Sequence, residues 1–309
     1  MRRSVFAGWS AMVLAIAACG GAGEDDGAGR LRVVATTGMI ADVTRTVGGE
    51  HVDVVGLMGP GVDPHLYKAR ESDVRRLAEA DVILYHGLHL EARMADVLER
   101  MSGRVRTVAV AGGVASSKLL TPPEFSGAPD PHVWFDVRLW MEAVEAIRDA
   151  LAEADPANAE AYRSNAASYL SELDALDSWV RDRIGALPPE RRVLVTAHDA
   201  FNYFGRAYGI EVRGLQGINT ASEAGTADVQ RLADFIVERG IPAIFVESSI
   251  SPRTLEAVRA AVMARGHTVS IGGTLYSDAL GGPGSGAETY VGMVRHNVET
   301  IVRALGGDS

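Results

Sequence analysis

Apolar positions along the chain recur in two alternating periods. Short runs rich in β-branched residues fall at 31–37 (LRVVATT), 51–57 (HVDVVGL), 81–85 (DVILY) and 105–110, and read as strands. Between them, residues 39–47, 71–80 and 90–101 carry helical spacing. Strands alternating with helices of this length predict a parallel sheet covered on both faces. A loop rich in Pro, Ser and Gly (111–131) follows, and Asp136 can cap a helix running to residue 154. Asp155-Pro156 then supplies a cap and a first-turn proline. Tyr162, Ala166, Tyr169, Leu173, Leu176 and Val180 alternate spacings of four and three, the stripe of one long helix. Its span of roughly 30 residues predicts a rod about 45 Å long. The strand-helix alternation then resumes, with strands at 192–196, 210–214, 243–247 and 267–271 and helices at 200–208, 228–239, 252–264 and 288–305. The expected fold is α/β, with two lobes, each a parallel sheet flanked by helices, bridged by one long rigid α-helix. The lobes are expected at 31–154 and 188–309 and the bridge at 155–187. Ligands of open α/β sheets sit beyond the carboxyl ends of the strands, so the crevice between the lobes is the expected site.

The N-terminus has a different pattern. Arg2 and Arg3 precede an apolar run from Val5 to Ala18, interrupted only by Ser10. This is the charged and apolar order of a secretory signal, expected over residues 1–18 and shorter than the roughly 20 residues a spanning helix needs. Cys19, the only cysteine, follows Ile16-Ala17-Ala18 and precedes a Gly-rich tether, with 19–30 expected to be flexible. The arrangement resembles a bacterial lipoprotein cleavage site, in which Cys19 becomes the lipidated first residue; acyl chains contribute about 0.8 kcal/mol per buried CH₂. A single cysteine excludes a disulfide within one chain. The expected location is extracytoplasmic, in the periplasm or at the cell surface, anchored through lipid on Cys19. The net charge of −10 and the lack of a basic patch exclude nucleic acid as a partner.

The chemistry begins with a repeated tripeptide. Asp63-Pro64-His65 and Asp130-Pro131-His132 each lie in a loop, each followed by an apolar-aromatic pair. Proline stiffens the turn, so an imidazole presented there loses little entropy on binding. His198 follows a strand and precedes a helix. Asp278 lies in a loop some way past the strand expected to end at Ile271. Two donors from each half make a four-coordinate site closed by the two lobes, suited to Zn²⁺ and also to Mn²⁺ or Fe²⁺. His51, His267 and His296 read as structural. His86 and His89 follow a strand and are candidates for lining the cleft or supporting the site. Glu247 and Glu223 are candidates for binding metal or capping a helix.

The chain resembles the zinc/manganese family of metal-ion ABC transporter solute-binding proteins. The matching segments are VVATTGMIADV, GVDPHLY, HGLHLE, DPHVWFD, TAHDAFNYFGRAYGIEVRGLQGINTASEAG and LYSDALG, from Val33 to Gly281. The resemblance implies two α/β lobes bridged by a rigid helix and metal ligands at His65, His132, His198 and Asp278. It also implies an ABC importer permease and its ATPase as partners, and a monomer that is not an enzyme. Two departures bear on the metal. The loop at 111–129 has no His, whereas many dedicated zinc carriers have a His-rich loop there. His198 stands where many manganese carriers have Glu. Ligand chemistry alone slightly favours zinc. The alternatives are a secreted zinc metallohydrolase, for which Glu247 would serve as base, and a surface adhesin with a structural metal.

Overall fold

A computed structural model of the chain describes residues 29–125, 127–222 and 224–306. The expected signal, Cys19, most of the tether, Glu223 and the last three residues lie outside the described residues. Among the described residues, no helix is long and apolar enough to cross a membrane.

The first lobe contains strands β1 (Leu31–Ala35), β2 (Val52–Gly56), β3 (Val82–Tyr85) and β4 (Arg106–Ala109) in a parallel sheet of order β2-β1-β3-β4. Helices α1 (Gly38–Gly48), α2 (Glu71–Glu79) and α3 (Ala95–Ser102) connect them, as βαβ units require. The helix expected from residue 90 begins five residues later, after a 3₁₀ turn at Ala92–Met94. The reason is the tight loop at 86–91. Leu88 and His89 have left-handed backbones (φ 51° and 65°), and the buried Glu91 carboxylate turns back to accept the backbone N–H of His86 and of Gly87. Those bonds are incompatible with a helix entered at residue 90.

Helix α4 (Val137–Ala154) starts at Asp136, whose side chain accepts the Arg138 N–H. Helix α5 (Ala159–Gly185, 27 residues) is the expected rod, about 40 Å long at 1.5 Å per residue. Asp155 does not cap it directly. A 3₁₀ turn (Pro156–Asn158) intervenes, and the Asp155 carboxylate accepts from Asn158 and the Tyr162 hydroxyl. All six stripe residues of α5 are buried.

The second lobe contains β5 (Val193–His198), α6 (Asn202–Tyr208), β6 (Glu211–Gln216), α7 (Thr226–Arg239), β7 (Ala243–Glu247), α8 (Arg253–Met263), β8 (Ser270–Leu275) and α9 (Tyr290–Gly306). Its parallel ladders form two pairs, β5-β6 and β7-β8, with β5 packed beside β7. Two strand ends differ from expectation in a way that matters. β5 continues to His198, which pairs with Gln216, and β8 continues to Leu275, which pairs with Glu247. Glycine at 272 and 273 hid this continuation. Sheet pairing overrides a weak local strand preference. Gly273 has φ 142°, and a Cβ there would meet Thr300 of α9 at 2.6 Å, so the strand lies close under that helix.

α5 packs against α1 and α4 on one side and α6 and α9 on the other. One apolar core therefore runs from Val33 and Met39 through Trp140 and Leu173 to Phe201 and Tyr290. Smaller cores lie under β5–β8 (Val195, Ile244, Leu255) and under the β2–α2 loop (Val34, Met58, Leu77).

Candidate metal centre

The first donor sits on the loop that follows β2. Asp63 Oδ1 accepts the His65 backbone N–H at 2.8 Å, closing a turn that Pro64 keeps rigid. The second repeats the device. Asp130 Oδ1 accepts the His132 N–H at 3.0 Å, and the same oxygen lies 2.7 Å from His132 Nδ1. His198 ends β5, with its N–H held by Glu247 Oε1 at 2.9 Å. Asp278 lies three residues beyond β8, where the extended strand aims it at the histidines.

These four residues converge, with one donor atom from each lying within 4.8 Å of the others. His65 Nε2 is 3.2 Å from His132 Nε2. Asp278 Oδ1 is 3.4 Å from His132 Nε2, and Oδ2 is 3.3 Å from His198 Nε2. A tetrahedron with donors about 2.0–2.1 Å from a cation has edges of about 3.3 Å. The spacing matches a small divalent ion. All four residues are buried. His198 Nε2 and Asp278 Oδ1 have no hydrogen-bond partner. Buried polar atoms left unpaired cost roughly 1–3 kcal/mol each, and both of these face the centre of the cluster, where a cation would satisfy them.

The electrostatics divide the histidines. Burial pushes His65 down to about 3, against the pull of Asp278. Burial also opposes charge on His132, but Asp130 and Asp278 outweigh it and hold that imidazole above its ordinary value. His198 is raised well above its ordinary value, because Glu247 and Asp278 overcome its burial. Burial would raise Asp278, yet His198 and His132 bring it well below the usual carboxylate range.

The remaining candidates take other places. Glu247 Oε2 lies 2.6 Å from His198 Nδ1, on the edge of the ring away from the cluster. Glu247 therefore stands behind His198, with Oε1 holding its backbone N–H and Oε2 facing its ring. Asp130 does the same for His132. Outer carboxylates of this kind fix the tautomer and raise ligand basicity. His86 is fully buried against Trp134 and Trp140. With its Nε2 at 2.6 Å from the Pro131 carbonyl, it donates to the second turn and does not line the cluster. His89 is exposed. His51 lies against Tyr162, and His267 and His296 reach backbone carbonyls at 241 and 274. Sequence reasoning missed Asp63 and Asp130 as supports, although an Asp two residues before a His is the signal of such a turn.

A two-lobed α/β protein that gathers three imidazoles and one carboxylate into a buried cluster belongs to the class of metal-binding receptors. Residues 33–304 match the protein-family model described as "ZnuA: Zinc-uptake complex component A periplasmic", and the chain belongs to that family. Its members are solute-binding proteins of metal-ion ABC transporters. The chain is 47% identical over 310 residues to the manganese-binding lipoprotein MntA of Bacillus subtilis, covering 99% of this chain and 100% of that one. It is 52% identical over 277 residues to the zinc-binding protein TroA of Treponema pallidum, covering 90% and 89%. The solved structure of that periplasmic zinc-binding protein superposes with a TM-score of 0.88 over 90% of this chain and 100% of that chain.

Proposed function

We propose that this protein captures a divalent transition metal outside the cytoplasmic membrane and delivers it to the permease of an ABC importer driven by its ATPase. His65, His132, His198 and Asp278 are the ligands, two from each lobe. Residues 31–154 form the first lobe, 155–187 the bridge and 188–309 the second lobe. The protein acts as a monomer, held to the membrane by lipid on Cys19 after removal of residues 1–18. It turns nothing over, because four protein donors leave no open position for an activated water.

The observation that carries the reading is the buried convergence of the four donors within 4.8 Å. The cargo is Zn²⁺ or Mn²⁺. Relatives are named for both metals, and three nitrogens with one oxygen place Zn²⁺ ahead in affinity. The ligands bind as neutral imidazole and carboxylate, so metal must displace the protons that His132 and His198 hold with raised affinity. Metal affinity therefore falls as pH drops through and below the histidine range. Titration of metal-stripped protein with Zn²⁺ and with Mn²⁺ at several pH values is the test. Sub-micromolar binding that weakens with acid is expected, and failure to bind either metal would overturn the reading.

A further inference from the structure

Each Asp of the repeated turn has a second oxygen, and in both turns it reaches the other lobe. Asp63 Oδ2 accepts a hydrogen bond from Thr220 Oγ1 at 2.6 Å, across 157 residues of sequence. Asp130 Oδ2 accepts from Asn202 Nδ2 at 3.2 Å, across 72 residues. Thr220 lies on the loop after β6, and Asn202 opens α6. The first oxygen of each carboxylate is already committed to the histidine two residues on. One side chain in each turn thus sets the imidazole within its own lobe and fastens that turn to the opposite lobe.

We infer that Thr220 and Asn202 are positioning residues for metal retention: they hold the two Asp-Pro-His turns against the second lobe and so keep His65 and His132 in register with His198 and Asp278. The inference rests on the proposed metal capture. The two fasteners are not equal. Thr220 is buried, and its bond to the Asp63 carboxylate is short at 2.6 Å. Asn202 lines an open cleft of about 1070 Å³ beside the site, between the loop at 120–125 and the end of β6. Its bond is longer, and water can replace it. Asp130 also keeps its hold on the His132 ring when Asn202 lets go. His65 has no carboxylate hydrogen-bonded to its ring, so its placement depends more on the Thr220 bond.

The fasteners touch none of the four converging side chains' metal-facing atoms, so losing one should speed release more than it changes the ligand set. Thr220→Val keeps the shape and removes the hydroxyl; it is expected to raise the dissociation rate constant of Zn²⁺ or Mn²⁺ about tenfold, the effect of one hydrogen bond to a charged group. Asn202→Ala is expected to raise it about threefold or less, in line with a longer, part-buried bond that leaves the Asp130 hold on the His132 ring intact. Thr220→Ser retains the hydroxyl and should restore slow release. Release is followed by transfer to an excess of chromogenic chelator from full-length protein loaded with Zn²⁺ or Mn²⁺. Thermal midpoints of the metal-free variants are measured in parallel. The inference holds if Thr220→Val releases metal faster, Thr220→Ser does not, and the metal-free midpoint moves little. It is overturned if release from Thr220→Val matches wild type, or if Thr220→Ser is as fast as Thr220→Val. It is also overturned if the metal-free midpoint falls by as much as the loaded one, which would mark a purely structural contact. If wild type itself takes up neither metal, the functional reading fails first, and the two failures are distinguished.

Discussion

At residues 63–65 and 130–132 the chain uses the same three residues for the same purpose, yet the two turns sit in opposite surroundings. The first stands on the loop after β2, with Leu66 beside it 40% exposed and a half-buried Tyr67 bonded to Asp73. The second is embedded. His132 and Trp134 are fully buried, the Trp134 indole donates to the Ser277 carbonyl, and its own carbonyl accepts the Tyr290 hydroxyl. The electrostatics follow the surroundings. Burial drops His65 to about 3, with the neighbouring His132 and His198 adding to it and the pull of Asp278 too weak to offset it. His132 is raised despite deeper burial, because Asp130 faces its ring and Asp278 its far edge. Identical tripeptides therefore give imidazoles shifted in opposite directions, one lowered by burial and one raised by the carboxylates around it. The protonation behaviour of a histidine is set by which groups the fold brings to the two ring nitrogens, not by its neighbours in sequence.

The comparison can be broken most forcefully at the aromatic residue of each turn. Trp134→Ala should cost about 3–5 kcal/mol of stability, since it empties a large buried volume. Tyr67→Ala, at the matching place in the first turn, should cost about 1–2 kcal/mol because that side chain is half-buried. Chemical denaturation of the metal-free proteins measures both, and equal losses would contradict the difference in burial.

The next effect is on metal affinity. Asp130→Asn should weaken binding about 10–100-fold, the usual loss when a carboxylate behind a ligating imidazole is neutralised. Asp63→Asn should weaken it less than about tenfold, because Asp63 bonds the His65 backbone and Thr220 but not the ring. Competition titration against a chelator of known affinity separates them. An Asp63→Asn loss as large as that of Asp130→Asn would mean the two turns work alike.

A further effect lies in pH dependence. His86 supports only the second turn, through Pro131. Burial lowers it to about 3 in the folded protein, below its ordinary 6.5. The unfolded chain therefore takes the proton first. His86's contribution is intact above pH 6.5 and is lost as pH falls toward 3. The slope from this one group is at most about 1.4 kcal/mol per pH unit. His132 and His198 act in the opposite sense in the metal-free protein, their contribution being present in acid and lost as pH rises through their raised values. Subtracting the unfolding free energy of His86→Gln from that of wild type across pH 3–7 isolates the histidine. An unchanged difference across that range would contradict the assignment.

Much of this architecture is written locally. The β-branched runs and the stripe from Tyr162 to Val180 give the sheets and the bridge because their periods need no distant partner to be read. Asp-Pro-His announces a stiff turn, and two copies announce two donors. The sequence singles out the four side chains that the fold brings within 4.8 Å of one another. Where local preference and long-range pairing disagree, the sequence misleads. Gly272 and Gly273 suggest a strand ended at Ile271, yet pairing with β7 and the close approach of α9 carry β8 to Leu275, which is what aims Asp278. Leu90 begins a helical pattern, yet the Glu91 carboxylate draws the backbone of 86–91 into a tight loop.

The sequence by itself determined most of the elements and the two turns, since each depends on residues a few positions apart. Only the tertiary structure decided which carboxylate stands behind which imidazole, that Glu247 orients His198 and that His86 props Pro131. It also decided that Thr220 and Asn202 reach across to Asp63 and Asp130. Apart from Asp130 and His132, which stand two positions apart, those contacts join residues 45 to 157 positions apart. Their free energy exists only once the lobes are packed on the bridging helix, so no local period or motif can carry them.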